Sequence, residues 1–162
     1  MAPYYAIALL LGMLAVFFSG GTTVDDTTLQ ITLYMKQTPA QDQISLAQGT
    51  VLINWPIKDG TGASANTTGH AKGLTTQENG QDSTWVIMMN LVFDNGSHAG
   101  SSLQVMGQHG ASGQWSVMGG TGNLTMARGI IKYNTLYQDA DSRTIEMQIY
   151  AYCTPMESIL AL

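Results

Sequence analysis

Charge is scarce in this chain. Asp, Glu, Lys and Arg make up 10% of its 162 residues, against roughly a quarter in an average soluble protein. What charge there is leans acidic, at a net −5, and the six basic residues are scattered from Lys36 to Arg143. With no basic run to meet phosphates, the composition argues against a nucleic-acid partner. Cysteine is nearly missing too. Cys153 stands alone, so no disulfide can form within the chain. Stability then falls to core burial and association. Metal-ligand spacing is absent, since His70, His98 and His109 lie far apart. There is no Gly-x-Ser-x-Gly elbow for a serine nucleophile. Cys153 shares the apolar phase of its segment, which suits a small core residue better than a nucleophile.

Helical periodicity is also missing once the N-terminal run is passed. That run, "APYYAIALLLGMLAVFFSGG", is almost wholly apolar and closes on Ser19, Gly20 and Gly21. It is slightly short for a membrane span and carries no basic anchor after it. The expectation is a signal peptide over residues 1–21, although its start carries no Lys or Arg. A retained anchor and a buried helix are the alternatives. Residues 22–162 then form one domain. Three sequons agree with export: Asn66-Thr-Thr, Asn95-Gly-Ser and Asn123-Leu-Thr. Chance in a Ser/Thr-rich chain makes such triplets too. Asn66 and Asn95 are the expected glycan acceptors.

In place of charge there are 18 glycines and many small polar residues, with apolar residues at every second position. In "LQITLYMK", Leu29, Ile31, Leu33 and Met35 alternate with Gln30, Thr32, Tyr34 and Lys36. In "TIEMQIYAYC", Ile145, Met147, Ile149, Ala151 and Cys153 keep the same rhythm. A period of two is that of an antiparallel strand with unlike faces. "TVLINW", "WVIMMNLVF", "SSLQVMG", "QWSVM" and "MARGIIKYN" are further strands. Gly- and Asp-rich turns separate them: "KDGTGAS", "QENGQD", "FDNGSHAG", "QHGASGQ" and "QDADS". Many short strands at this spacing predict an all-β sandwich or barrel. The ten methionines admit two readings, an adaptable core filler or a soft pocket for an aromatic ligand.

The stretch "VMGGTGNLTMARGII" looks at first like a phosphate loop. A Walker loop needs Lys-Ser/Thr after its last glycine and a helix behind it, and neither follows. The spacing and βαβ setting of a dinucleotide fingerprint are missing as well. The glycines are expected to let the backbone bend between two strands.

These segments, in this order, resemble the plant dirigent proteins. "TLYMK", "GTVLINWPIKDG", "TGHAKGL", "LVFDN", "GSSLQVMG" and "VMGGTGNLTMARGI" carry the likeness, which covers roughly residues 28–154. "NWPIKDG", "LQVMGQHGASGQW" and Cys153-x-Pro155 are most similar to a grass subgroup often joined to a jacalin-type lectin. The resemblance implies an eight-stranded antiparallel β-barrel, a homotrimer or homodimer, and secretion to the cell wall. It implies no cofactor and no oxidase activity. A separate laccase or peroxidase makes phenoxy radicals from monolignols such as coniferyl alcohol, and the dirigent pocket orients them so that one lignan stereoisomer forms. Some members instead protonate quinone methides with a carboxylic acid.

Residue by residue, the likeness places the family's first-strand His-Asp pair at Lys36 and Gln37, and its Asp-Asp-Pro at Asn54-Trp55-Pro56. A pocket acid falls at Asn123, an arginine at His70, a tyrosine at His98, and the pocket arginine at Arg128. An amide can hydrogen-bond a phenol but cannot protonate like a carboxylic acid. Candidate pocket residues are therefore Arg128, Asn123, Tyr34, Lys36, His70 and His98. Arg128 admits two roles, holding a phenol oxygen or pairing with a nearby carboxylate. Tyr34 and Lys36 share a strand face, and a barrel with polar groups inside would turn that face to the lumen. Two further functions stay open. One is a non-catalytic binding or defence protein that has lost the pocket acids. The other is a barrel carrier of a small apolar ligand.

Overall fold

The computed structural model describes residues 26–46, 49–77 and 84–154. The stretch expected to be a signal peptide lies outside the described residues. The described strands are β1 (Thr27–Gln37), β2 (Gln43–Ser45), β3 (Thr50–Lys58), β4 (Thr67–Gln77), β5 (Trp85–Phe93), β6 (Ser102–His109), β7 (Ser112–Thr121), β8 (Arg128–Gln138) and β9 (Arg143–Cys153). A four-residue helix, α1 (Pro39–Asp42), and two 3-10 turns, Gly96–His98 and Gly122–Leu124, interrupt them.

The strands join antiparallel in the order β1-β9-β8-β7-β6-β5-β4-β3-β2. β1 also meets β3, Tyr34 opposite Lys58 and Met35 opposite Ile57. That contact closes the eight long strands into a barrel. β2 is a short addition on the flank of β3, with Ile44 opposite Leu52. The closure is uneven. β1 pairs β9 along its whole length, from Thr27–Cys153 to Gln37–Arg143, but meets β3 through two residue pairs.

One parity rule organises the inside. The buried side chains of the strands sit at odd positions: Leu29, Leu33 and Met35 on β1, Ile53, Trp55 and Ile57 on β3, Ile87, Met89 and Leu91 on β5, and Ile145, Met147 and Ile149 on β9. Each such side chain contributes about 2 kcal/mol by leaving water. A slip of one residue would turn a whole strand's set outward, so burial fixes the register.

β4 is the strand that the sequence patterning passes over. Its inward positions are Gly69, Ala71, Gly73 and Thr75, too small to give an apolar rhythm. The reason is the closeness of β5. A Cβ built on Gly69 or Gly73 would lie 2.1 Å from the carbonyl oxygen of Val92 or Met88. Only glycine tolerates that approach.

The methionines divide in a way neither earlier reading foresaw. Met35, Met89 and Met147 are core residues, while Met88, Met106, Met118 and Met126 are exposed. Three of these belong to a band on the outer surface. Ile44 faces Leu52, Leu52 faces Leu74, Leu74 faces Met88, and Met88 faces Met106, strand after strand. Met118 lies beside the end of that row on β7.

Candidate functional site

Where the inward phase of a strand carries a polar residue, it does so at one end of the barrel. This upper end is where β1, β4 and β6 finish and β3, β5 and β9 start. Gln37, Trp55, Thr75, Trp85, His109 and Arg143 line a cavity of about 170 Å³ there. Behind His109 the floor is aromatic, buried and not itself part of the lining. Trp115 and Tyr133 stack with ring centroids 4.1 Å apart, and His109 sits 5.6 and 5.9 Å from them. Trp115 Nε1 and the Tyr133 hydroxyl both donate to the carbonyl of Gln108, at 2.8 and 3.1 Å. Those two polar groups are satisfied and hold the floor in place.

His109 is the centre of the polar cluster. Arg143 Nη1 lies 3.2 Å from its Nε2, and Gln37 Nε2 lies 3.5 Å from the same atom. A guanidinium can only donate, so Nε2 accepts and the ring proton sits on Nδ1. Burial, and then the charge of Arg143, lower the His109 pKa to about 4, so the ring stays neutral at physiological pH. Arg143 also donates to Thr135 Oγ1 at 2.7 Å and to the carbonyl of Gly110. All these partners are neutral. Among the described residues, no carboxylate pairs with Arg143. Two N–H groups here are buried without a partner, His109 Nδ1 and Trp55 Nε1. Their side chains are nine-tenths or more buried, at 9% and 3% exposure. Unmet buried donors are costly, about 1–3 kcal/mol each, and mark a place built for an acceptor.

The structure distributes the six expected pocket residues differently. Tyr34 and Lys36 sit at even positions of β1 and face outward, correcting the expectation that the polar face lines the lumen. In a barrel in water the apolar face fills the inside. The two line a nook of about 290 Å³ on the outer wall with Lys58 and Thr144. His70 is also on the outer face, its Nδ1 2.7 Å from Asp94 Oδ2. Arg128 takes the second of its two roles. It pairs with Asp26, is 59% exposed, and its guanidinium lies 5.9 Å from the Tyr152 ring centre.

Asn123 and His98 do come together, at the lower end of the barrel. They border a cleft of about 770 Å³ between the free edge of β1, Thr27–Ile31, and the two 3-10 turns. Asn123 is exposed at its rim, with Nδ2 3.4 Å from the carbonyl of Ser97. His98 packs edge-on to Phe93, with its Nδ1 unpartnered. Gly122 turns this corner at a φ of +61°, with Ser101 Oγ 2.7 Å from where a Cβ would be. The glycines of "GGTG" thus bend a strand into a turn, as expected. The lower cleft is the larger space. The upper mouth combines buried aromatic walls, unmet donors and an unneutralised cation, which makes it the better ligand site.

The sequon asparagines Asn66 and Asn95 are exposed. Asn66 Nδ2 donates to Asp59 at 3.0 Å, and Asn95 Nδ2 to the carbonyl of Thr67 at 3.1 Å.

Comparison with known proteins agrees with this architecture. A solved pterocarpan synthase dirigent protein, GePTS1, superposes with a TM-score of 0.74 at 17% identity, over 83% of this chain and 89% of its own. A second, PsPTS1, gives 0.63 at 18% identity, over 80% and 96%. Dirigent protein 7 of Arabidopsis thaliana is 29% identical over 87 residues, 51% of this chain. That match spans about half the length of the relative, 47%. The family model described as Dirigent-like protein matches residues 14–152. The chain belongs to the dirigent family.

Proposed function

We propose that this is a secreted dirigent protein that steers the coupling of phenoxy radicals, with the upper mouth of the barrel as its binding site. The radicals come from a separate laccase or peroxidase acting on monolignols, and the product is a lignan. The observation that carries this reading is the cavity lined by Trp55, Trp85, His109 and Arg143, with His109 packed on the stacked Trp115–Tyr133 pair. Its volume of about 170 Å³ is below the several hundred Å³ of sites for drug-sized ligands, so it suits one ring. A radical held by one ring offers a single face to its partner, and orientation alone then selects the product. Among the described residues no Asp or Glu lines the cavity, and Gln37 stands where the family resemblance puts an acid. That favours orientation over acid catalysis.

Self-association through the outer band of Ile44, Leu52, Leu74, Met88 and Met106 belongs to the same reading, as do export and glycans on Asn66 and Asn95. Oligomers suit a chain with no internal disulfide and an apolar outer wall. The missing carboxylate also supports a second reading, a binding protein of plant defence with no effect on coupling.

One experiment separates the two. The protein is incubated with coniferyl alcohol and a laccase, and the dimers are resolved by chiral chromatography. An enantiomeric excess that rises with protein concentration is expected. A racemic product at saturating protein would remove the coupling function for this substrate.

A further inference from the structure

Among the described residues, the fully buried side-chain polar atoms without a partner at the upper mouth are both N–H donors. His109 Nδ1 and Trp55 Nε1 carry protons with nothing to receive them, and their ring centroids are 6.2 Å apart. The tautomer is forced, because Arg143 and Gln37 both donate to the far side of the imidazole. The charged and titratable groups gathered here are Arg143 from β9, His109 from β6 and Tyr133 from β8, with no carboxylate from any of the strands that line the cavity. The guanidinium is half-buried, and among the described residues its charge is met by neutral atoms alone. Two unmet N–H groups beside an uncompensated cation favour negative charge on a ligand oxygen.

We infer that the upper mouth binds its aromatic ligand as the phenolate, with the ring in the cavity beside Trp85 and the anionic oxygen held by His109 Nδ1 and Trp55 Nε1 next to Arg143. This rests on the reading of the mouth as the phenolic site and adds the ionisation state that it selects. A phenol is easier to oxidise by one electron once its proton is gone. The site thus favours the anionic form; where a phenol enters, its O–H bond breaks and the proton passes to bulk water, and no electron is transferred in the binding itself.

The test uses 4-nitrophenol, whose phenolate absorbs in the visible while the phenol does not. Titration of the full protein across pH is expected to put the apparent pKa of the bound probe about one unit below its free value. That is about a tenfold preference for the anion, as charge-assisted hydrogen bonds give. Trp55→Phe keeps the ring and removes the N–H, and is expected to lose most of that preference while still binding the neutral phenol. A near-ultraviolet circular dichroism spectrum checks that the variant is folded, and the wild-type shift stands without it. Absence of binding, binding with an unshifted or raised pKa, or an undiminished preference in a folded Trp55→Phe would each overturn the inference. Coupling stereoselectivity is read separately. A racemic dimer from a protein that binds nitrophenolate removes the coupling function and leaves the phenolate site standing.

Discussion

At the scale of single residues, His109 has a cost that pH reveals. Its folded pKa is about 4, below the ordinary 6.5, because the charged ring would be buried beside Arg143. Between those values the unfolded chain binds a proton that the folded one refuses. The stabilisation is therefore present above pH 6.5 and is lost as pH falls towards 4. Integrated over that window it amounts to on the order of 3 kcal/mol. Urea unfolding of the wild type is expected to weaken by about that much from pH 7 to pH 4, beyond the change in His109→Gln. Equal pH dependence in both proteins would show that another group titrates. Arg128 makes the opposite case. It is mostly exposed and engaged with Asp26 on the outer wall, so Arg128→Ala is expected to leave nitrophenolate binding unchanged, measured by the same absorbance titration. The sequence carries a signal for the lining of the upper mouth. Gln37 follows Leu29, Ile31, Leu33 and Met35 in phase, His109 follows Leu103 and Val105, and Arg143 precedes Ile145 and Met147. A polar residue on the apolar phase marks the mouth. The polar phase, where Tyr34 and Lys36 lie, is simply the outside of the barrel.

At the scale of elements, alternation made most of the strands legible and left β4 obscure. Gly69, Ala71 and Gly73 carry no apolar rhythm because β5 passes too close for larger side chains. Strand existence there is set by close pairing with the next strand, which the residue pattern of β4 itself does not show. The same geometry predicts the effect of one methyl group. Gly73→Ala would place Cβ 2.1 Å from the Met88 carbonyl oxygen and 2.7 Å from the Met89 Cα. Backbone on both strands must shift, at a cost of about 2 kcal/mol. Thermal unfolding is expected to fall by roughly 4–8 °C for a domain of this size. An unchanged melting temperature would mean that β4 and β5 part more easily than their packing implies.

At the scale of the whole molecule, the outer band gives the proposed self-association a testable surface. Ile44, Leu52, Met88, Met106 and Met118 are 64, 41, 37, 42 and 64% exposed, an arrangement that is costly in water for a lone barrel. Sedimentation equilibrium is expected to show an oligomer at micromolar concentration, and Met106→Glu to return it to monomers with the fold intact. A monomeric wild type would leave the band without a partner of its own kind. The strand order also sets a timetable. Thr27 Oγ1 bonds the carbonyl of Cys153, 126 residues away in the chain, and β1 finds nearly all its partners on β9. Among the described strands, the first to be synthesised is therefore completed by the last. At about 10 residues per second, β1 waits on the order of ten seconds with both edges open, held by little more than two rungs to β3. For that interval it is the segment of the nascent chain most in need of a chaperone.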